Sequence, residues 1–500
     1  MQNPVSFIAS NHRNFKKKVK AARRSSSPAT RAALCAQAAI YAARNPCGIF
    51  SSWPLEECLL DLAGSISCPM AAEPDANTFL HVFSRAYSSG GHTRVAERWI
   101  SASPASGAHD VVLLSQGDRP VPATLEAATR SRNGRIHNLA DGLHLDKARQ
   151  LRSLASRYQH IILHVHMYDI LPVLAFGTSA FTRPVIFYNH ADHLFWVGVS
   201  IADTIVNMRS LALHINTAFR HIAPERNKRL PLPVTQPAVP LPHETRHQLI
   251  TELGLPEKAQ VMLTMASPYK YAPIQGLNFL ATIESILAHN SRAVLLAIGP
   301  SPQDPAWQAA NQRTQGRIIP LGRLPHTEID RYLSLADMAV DSFPFSSLVA
   351  LLDIGRHNIP CLTLDTPVNG YDAFTHAGIV CATPQELIRR ALKELEEPSP
   401  NLLLPILEQE SLPQGFARHV EAIQESFPQS HIIQTFQTDE RPVPSQMELF
   451  IAHNHQSHAS GIKHHLSCFI QECVYLCLRY ISPCLIPRPV YRRLESYGII

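Results

Sequence analysis

Short apolar segments with little polar alternation recur along two stretches of the chain. In the first stretch they lie at 78–84, 110–115, 160–166, 184–190 and 203–208. In the second they lie at 260–266, 292–299, 317–322, 337–343 and 360–364. Runs of this kind are typical of parallel strands buried on both faces, and polar helix-like segments separate them. The pattern predicts an α/β protein with two tandem Rossmann-like domains.

A proline-rich segment, "LPLPVTQPAVPLPHE", separates the two series. Proline lacks the amide hydrogen that an inner helix turn or a central strand needs, so this segment is neither. We interpret residues 230–245 as a linker between Rossmann-like domains at 76–229 and 246–440. Such sheets bind ligands at the carboxyl ends of their strands, so we expect the two domains to face a ligand-binding cleft.

The two ends of the chain lack this alternation of apolar strands and polar helices. Residues 1–75 predict a basic, solvated tail followed by a small helical region, a cap or dimerising arm with helices near 31–44 and 52–64. Ser52 is the expected cap of the second helix and Gly64 its end. Residues 441–500 predict a helical tail that packs back on the domains. An interfacial membrane helix is the alternative for this tail, and an anionic membrane surface or nucleic acid is the alternative partner of the basic N-terminus.

Composition narrows the class of protein. With 45% hydrophobic and 17% charged residues among 500, the chain is not a disordered protein. A net charge of +5 is too small for a dedicated nucleic-acid binder, so no nucleic acid partner is expected. The ten cysteines form no CxxC motif, which disfavours a zinc site, and no cofactor or metal is predicted. The absence of a signal peptide and of a long apolar window predicts a cytoplasmic protein and leaves peripheral membrane contact and oligomeric state open.

The first candidate site is "SSGGHTRVAERWI", which follows the first predicted strand. Gly90 and Gly91 predict a tight turn into a helix, whose free amides and dipole favour an anion. His92 is placed to reach the ligand, and its ordinary pKa near ~6.5 suits proton abstraction from an acceptor hydroxyl. The alternative is a histidine held by a hydrogen bond within the turn.

The second candidate is the loop after the strand at 184–190. His190, Asp192 and His193 form an HxDH pattern that lacks the further ligands of a metal site, so we interpret them as active-site lining. Phe195 and Trp196 are expected to pack.

Two further candidates lie in the second domain. Tyr269 and Lys270 directly follow its first strand, where the lysine ammonium can reach a diphosphate as a point charge. The loop "SFPFSS" then leads to a helix expected to begin near Ser346 or Ser347. Asp353 in that helix needs a partner, which is either ribose hydroxyls or Arg356.

These residues carry a resemblance to a known family. Two Rossmann-like domains with a proline-rich linker resemble GT-B glycosyltransferases. The segment "LADMAVDSFPFSSLVALLDIGRHNIP" resembles the nucleotide-sugar site of the O-GlcNAc transferase family and its bacterial cytoplasmic N-glycosyltransferase relatives. The resemblance implies that Lys270 contacts the donor diphosphate and that Asp353 contacts the ribose. Tyr269, which with Lys270 resembles the family's Tyr-Lys pair, is a further candidate donor-binding residue, as are Arg323, Ser346 and Ser347.

One part of the segment departs from the family. The family's polar residues before the helical acid are replaced by Ser346 to Ala350, so side-chain phosphate contacts are reduced. Retaining GT-B enzymes usually carry a glutamate eight residues before that acid, and this position is Phe345 here. The resemblance therefore implies an inverting mechanism.

The predicted function is transfer of a hexosyl or N-acetylhexosaminyl group from a nucleotide diphosphate sugar, UDP-linked, to a polypeptide or glycan acceptor in bacterial glycan biosynthesis. His92, Lys270 and His190 are the candidate catalytic residues, and Gly90, Gly91, Asp192 and His193 line the substrate site. Two alternatives stay open: a sugar-nucleotide epimerase of the same fold, and an inactive sugar-nucleotide-binding or scaffold protein.

Overall fold

The computed structural model describes residues 3–88, 91–104, 107–235, 243–438 and 448–452, with positions 474–475, 483, 486 and 490. The chain divides into two compact units. Unit 1 comprises Met1–Leu230 and Ala417–Ile500, and unit 2 comprises Pro231–Phe416. Most of the predicted helical tail at 441–500 lies outside the described residues.

Unit 1 is built on a seven-stranded parallel sheet. Its strands are β1 Asp75–Phe83, β2 Ala108–Leu113, β3 Ile136–Asn138, β4 Tyr158–His164, β5 Val185–Asn189, β6 Thr204–Asn207 and β7 Asn227–Arg229. Their order is β3-β2-β1-β4-β5-β6-β7. The order reverses between β1 and β4, which is where doubly wound sheets open a crevice for ligands.

The helices of unit 1 include one at the position where a solvated tail is predicted. They are α1 Pro4–Arg24, α2 Pro28–Arg44, α3 Trp53–Ser65, α4 Gly91–Ala102, α5 Ala123–Ser131, α6 His144–Ala155, α7 Leu171–Phe176 and α8 Ser210–Phe219. The solvated-tail prediction is wrong, because Ile8, Phe15, Val19 and Ala22 recur on one buried face of α1. These apolar positions form the stripe typical of a helix packed on a core. Lys16, Lys17 and Lys20 are exposed on the other side, whereas Lys18 is buried.

Helices α2 and α3 confirm the two helices predicted at 31–44 and 52–64. They pack into the main core of unit 1 with residues of α6 and α7. Ser52 is the N-cap residue of α3, as predicted, although its hydroxyl makes no capping hydrogen bond. Glu56 is fully buried and accepts hydrogen bonds from the amides of Gly198, Val199 and Ser200 at 2.8, 3.1 and 2.8 Å. A buried carboxylate is stable only with such partners, and this one ties α3 to the loop after β5.

Unit 2 is built on a six-stranded parallel sheet. Its strands are β8 Gln260–Met265, β9 Ala293–Ile298, β10 Ile318–Gly322, β11 Met338–Val340, β12 Cys361–Leu364 and β13 Val380–Cys381, in the order β10-β9-β8-β11-β12-β13. Its helices are α9 His243–Glu252, α10 Phe279–His289, α11 Pro305–Arg313, α12 His326–Leu333, α13 Val349–Gly355, α14 Asp372–His376, α15 Pro384–Glu396 and α16 Leu404–Glu410; α17 Pro413–Glu425 continues into unit 1. The order again reverses, between β8 and β11.

Both sheets confirm the predicted α/β fold class with two Rossmann-like domains, and all ten predicted strands are present. Three strands are not predicted from the sequence: β3, β7 and β13. Each lies at an edge of its sheet and has only two or three residues, which is too few to show as an apolar run. The part of the predicted linker at 236–242 lies outside the described residues, and α9 begins at His243. Among the described residues, no helix has both the length and the apolar character to cross a membrane.

Candidate functional site

In unit 1, the candidate residues gather at the carboxyl edge of the sheet. Strands β1, β4 and β5 are neighbours, so the loops after them meet at one edge. Tyr87 follows β1, His166 follows β4 and His190 follows β5. Helix α4 begins at Gly91 and brings His92 to the same place. Gly90 lies outside the described residues.

His92 is the centre of this group. Its ring stacks on His190 with centroids 5.1 Å apart, and it meets His166 edge-on at 6.5 Å. Its Nε2 lies 3.4 Å from the carbonyl oxygen of Arg85. Because a carbonyl only accepts, Nε2 carries the hydrogen in that contact, and Nδ1 is the basic nitrogen of the neutral ring.

The three imidazoles are held in the neutral state. Burial lowers the pKa of His92, and its bond to the Arg85 carbonyl opposes this only in part. Burial and neighbouring positive charges lower the pKa of His166 to about 4, and burial places the pKa of His190 well below its usual range. A neutral imidazole is the form that accepts a proton. The group therefore offers a proton acceptor at the edge of the sheet.

His166 and Tyr87 are missing from the sequence-based site. The hydroxyl of Tyr87 lies 3.3 Å from His166 Nε2, and the two rings lie 6.1 Å apart. The available signal was the position of His166 at the end of the apolar run "HIILHVH". The pattern alone does not say that this strand lies beside the first one.

Asp192 lies in a buried ion pair. Its carboxylate receives both Nε and a terminal nitrogen of Arg209 at 2.6 and 2.7 Å, and His193 Nδ1 lies 3.5 Å away. The paired charge holds the pKa of Asp192 far below its usual range against the opposing effect of burial. Both oxygens are thus engaged inside the protein. Contact of Asp192 and His193 with a substrate stays a prediction.

A buried arginine fixes the rest of this loop. Arg220 donates to the carbonyl oxygens of Asp192 and Leu194 at 2.8 and 2.7 Å, and its guanidinium lies 4.8 Å from the Trp196 ring centroid. Phe195 and Trp196 are buried, which confirms that they pack. The loop that presents His190 is therefore anchored at several points.

In unit 2, Lys270 occupies the edge where β8 ends. It belongs to a short 3-10 turn, Pro268–Tyr271, and its Nζ donates to the carbonyl oxygen of Ser346 at 2.7 Å. Burial lowers the pKa of the ammonium, and the charge of Asp341 opposes that effect. Tyr269 beside it is 57% exposed, so its ring is accessible at this edge. Because β8 and β11 pair, the loops after them meet here.

Asp341 organises the loop after β11. It accepts the hydroxyls of Ser346 and Ser347 at 2.5 Å each and that of Thr363 at 3.0 Å. It also accepts the amides of Ser342 and Ser347 at 2.8 and 2.9 Å. The hydroxyls of Ser346 and Ser347 thus donate to this carboxylate, and their contact with a donor phosphate stays a prediction. The sequence signal was a buried strand ending in Asp with three serines in the next six residues.

The loop ends in a residue of unusual conformation. Leu348 has φ +52°, a left-handed conformation that a leucine rarely adopts. Helix α13 begins at Val349, two residues after Ser347, the later of the two expected starts. The serines are held outside the helix because their hydroxyls bind Asp341.

Asp353 lies within α13, close to Arg356, which is one of its two expected partners. Its Oδ1 is 3.7 Å from Nε of Arg356, whose guanidinium also lies 3.4 Å from Asp330. Arg323 follows β10 and is exposed. Their contacts with a donor stay predictions. Among the described residues, no group of three or more His, Cys, Asp or Glu is arranged to hold a metal ion.

Comparison with known proteins bears on the fold. No protein-family model and no curated protein matches the chain. Among solved structures, Anabaena HepE in complex with UDP and glucose matches with TM-score 0.50 and 13% identity over 70% of this chain and 99% of that one. A glycosyltransferase from Rickettsia africae matches with TM-score 0.52 and 9% identity over 71% and 96%.

A mutant O-GlcNAc transferase of Thermobaculum terrenum also matches, with 15% identity over 85% of this chain and 77% of that one. Its TM-score of 0.46 is too low to argue for a particular branch. The first two structures confirm the resemblance in fold: the chain has the two-domain GT-B fold of glycosyltransferases.

Proposed function

We propose that this protein is an inverting glycosyltransferase that moves a sugar from a UDP-linked donor to a polypeptide or glycan acceptor. The observation that carries the proposal is the position of Lys270. Its ammonium lies at the carboxyl edge of the unit 2 sheet, beside the strand-order reversal, where doubly wound sheets bind nucleotides. A protein of the same fold, HepE, has been solved with UDP and glucose.

Lys270 supplies the charge that a leaving diphosphate needs. When the glycosidic bond to the donor breaks, negative charge grows on the diphosphate oxygen. A cation held by the carbonyl of Ser346 and partly shielded from water stabilises that charge more strongly than one in solvent. This electrostatic effect is usually the largest single contribution to catalysis.

His92 supplies the base. An inverting transfer is one displacement in which the acceptor hydroxyl loses its proton as it attacks the sugar carbon. The neutral ring of His92, fixed by the Arg85 carbonyl and stacked on His190, takes that proton. His190 and His166 keep the surroundings aromatic and uncharged, because burial lowers the pKa of each.

The test is a donor screen with matched variants. Wild type, Lys270→Ala and Lys258→Ala are incubated with UDP-, GDP-, TDP- and CMP-sugars, and release of the free nucleotide is measured. Lys258 is an exposed lysine of the same unit and serves as the control. We expect release from a UDP-sugar, reduced about 10²–10³-fold by Lys270→Ala and unchanged by Lys258→Ala. Equal rates in all three proteins would overturn the role of Lys270.

One observation favours a second candidate, a sugar-nucleotide-binding protein without transfer activity. The hydroxyls of Ser346 and Ser347 bind Asp341, and the apolar Leu348 follows them. Fewer side-chain donors then remain for a phosphate in this loop. Binding of UDP by calorimetry, with no breakdown of any UDP-sugar in the presence of an acceptor panel, would support this candidate over the transferase.

A further inference from the structure

A small cavity opens beside the histidine group of unit 1. Its volume is about 60 Å³, and its wall is partly apolar. Its polar residues include Ser84 and Arg85 after β1, Ser115 after β2, and His166 and Asp169 after β4, with His144 and Tyr168 beside them. A water molecule needs about 10–15 Å³ of such space, so the cavity accommodates on the order of five heavy atoms. That is the size of one phosphate or carboxylate group, and too small for a sugar ring.

Positive charge is concentrated around this cavity. Arg85 is buried and donates through Nε to the carbonyl oxygen of Ser115 at 2.8 Å. Lys147, also buried, donates through Nζ to the hydroxyl of the same Ser115 at 2.9 Å. Burial, His92 and the charges of Arg85, Arg44 and Arg119 lower the pKa of His166. The two buried cations that bind Ser115 place positive charge on one side of the cavity, and positive charge there favours an anion.

The carboxylate in the lining is already bound within the protein. Asp169 accepts the hydroxyl of Ser84 through Oδ2, and its Oδ1 accepts the amide of Leu171 at 3.0 Å. Both carboxylate oxygens therefore have partners inside the protein. Ser84 also receives the amide of His166 at 2.9 Å, so the wall is internally fixed.

We propose that this cavity binds an anionic group, a phosphate or a carboxylate, carried by the acceptor substrate. The proposal rests on the proposed function and gives its acceptor a chemical class: an acidic or phosphorylated sugar. His166 belongs both to the cavity wall and to the group around His92, whose ring centroid lies 6.5 Å away. An anion held by Arg85 therefore anchors the acceptor with its sugar ring extending toward the base.

The first arm of the test examines the cavity itself. Inorganic phosphate is titrated into wild type, Arg85→Gln and Arg130→Gln by calorimetry at constant ionic strength. Arg130 is an exposed arginine of α5, so its variant makes the same charge change outside the cavity. We expect Arg85→Gln to weaken phosphate binding about 10- to 100-fold, the effect of losing one charge-assisted hydrogen bond. Arg130→Gln should bind as wild type does.

Arg85→Lys covers the case in which Arg85→Gln does not fold. It keeps the charge but loses the planar fork, so weakened but measurable phosphate binding is expected. UDP binding, which depends on unit 2, should be unchanged in every folded variant. Equal phosphate affinity in wild type and the folded Arg85 variants would overturn the proposal.

The second arm separates an anionic group on an acceptor from free phosphate. Glucose, glucose 6-phosphate and glucuronate are compared as acceptors by their stimulation of UDP release. Stimulation by the two anionic sugars, lost in Arg85→Gln, is the expected result. Preference for neutral glucose would contradict the proposal. If no UDP-sugar is consumed at all, the proposed function fails, while the phosphate titration still decides whether the cavity binds anions.

Discussion

The rings of His92 and His190 stack with their centroids 5.1 Å apart and their planes 25° from parallel. One ring comes from the start of α4 and the other from the end of β5. Two positive charges at this distance would repel, and His92 adds to the effect of burial in lowering the pKa of His190. The two stacked imidazoles are therefore neutral, and together they can accept one proton but not two.

We predict that His92→Gln lowers turnover by about 10²–10⁴-fold, the usual contribution of a general base. The control is His289→Gln, which changes an exposed histidine of α10. Rate measurements with the donor found in the screen, at saturating acceptor, test the prediction. A His92→Gln enzyme with more than a third of normal turnover would exclude His92 as the base.

The pH dependence should follow the lowered pKa of His92. The protonated ring is inactive as a base, so kcat/KM should fall as the pH drops through this pKa, which lies below the ordinary ~6.5. The enzyme should retain most of its activity at pH 6.5. An acid limb centred above pH 6.5 would show that another group controls the reaction.

Breaking the buried ion pair of Asp192 should strongly destabilise unit 1. Arg209→Met leaves a carboxylate that is 1% exposed without its main partner, which costs about 3–5 kcal/mol. Urea unfolding measures the effect. The matched control is Arg149→Met, since Arg149 and Asp146 form an exposed pair whose loss costs about 0–1 kcal/mol. Similar losses in the two variants would contradict the buried-pair argument.

Gly299 should not tolerate substitution, because a larger side chain at this position would clash with the backbone. It follows β9 with φ +115°, and a Cβ placed there would lie 1.9 Å from the carbonyl oxygen of Ala266, at the start of the segment that leads to Lys270. We expect Gly299→Ala to destabilise unit 2 and to weaken UDP binding. Gly254 also has a positive φ, +63°, but open space around it. Gly254→Ala should therefore show only the conformational cost, about 1–2 kcal/mol, with UDP binding intact.

Three buried histidines should make the stability of unit 1 sensitive to acid. His81 binds His164 through Nδ1 and His109 through Nε2, each at 3.0 Å, and all three are inaccessible to solvent. Burial lowers the pKa of His109 and of His164 to about 3. Between pH 6.5 and about 3, the unfolded chain binds protons that the folded one does not, so stability falls as the pH falls.

Each such histidine contributes a slope of up to about 1.4 kcal/mol per pH unit in that interval. Urea midpoints at pH 7, 6 and 5 test this. His109→Gln should flatten the dependence, whereas His289→Gln should leave it unchanged. A slope that is the same in wild type and His109→Gln would show that other groups dominate the acid sensitivity.

Much of the architecture follows from the sequence by itself. The ten apolar runs predicted ten strands because parallel strands are buried on both faces and cannot alternate. His92 and Lys270 stood out because each follows the first strand of its series, and such positions lie at the ligand-binding edge in any doubly wound sheet. These features depend on local burial and chain order, which a sequence displays directly.

The tertiary structure decided the partners of those residues. Strand order brought His166 beside His92, and it brought Thr363 and the two serines onto Asp341. It also converted the expected basic tail into α1, because a packing surface on α2 covers its apolar stripe. Hydrogen-bond partners, burial and pKa shifts depend on which distant loops share an edge of the sheet. The hydrophobic pattern of a single strand does not determine the order of the strands in the sheet.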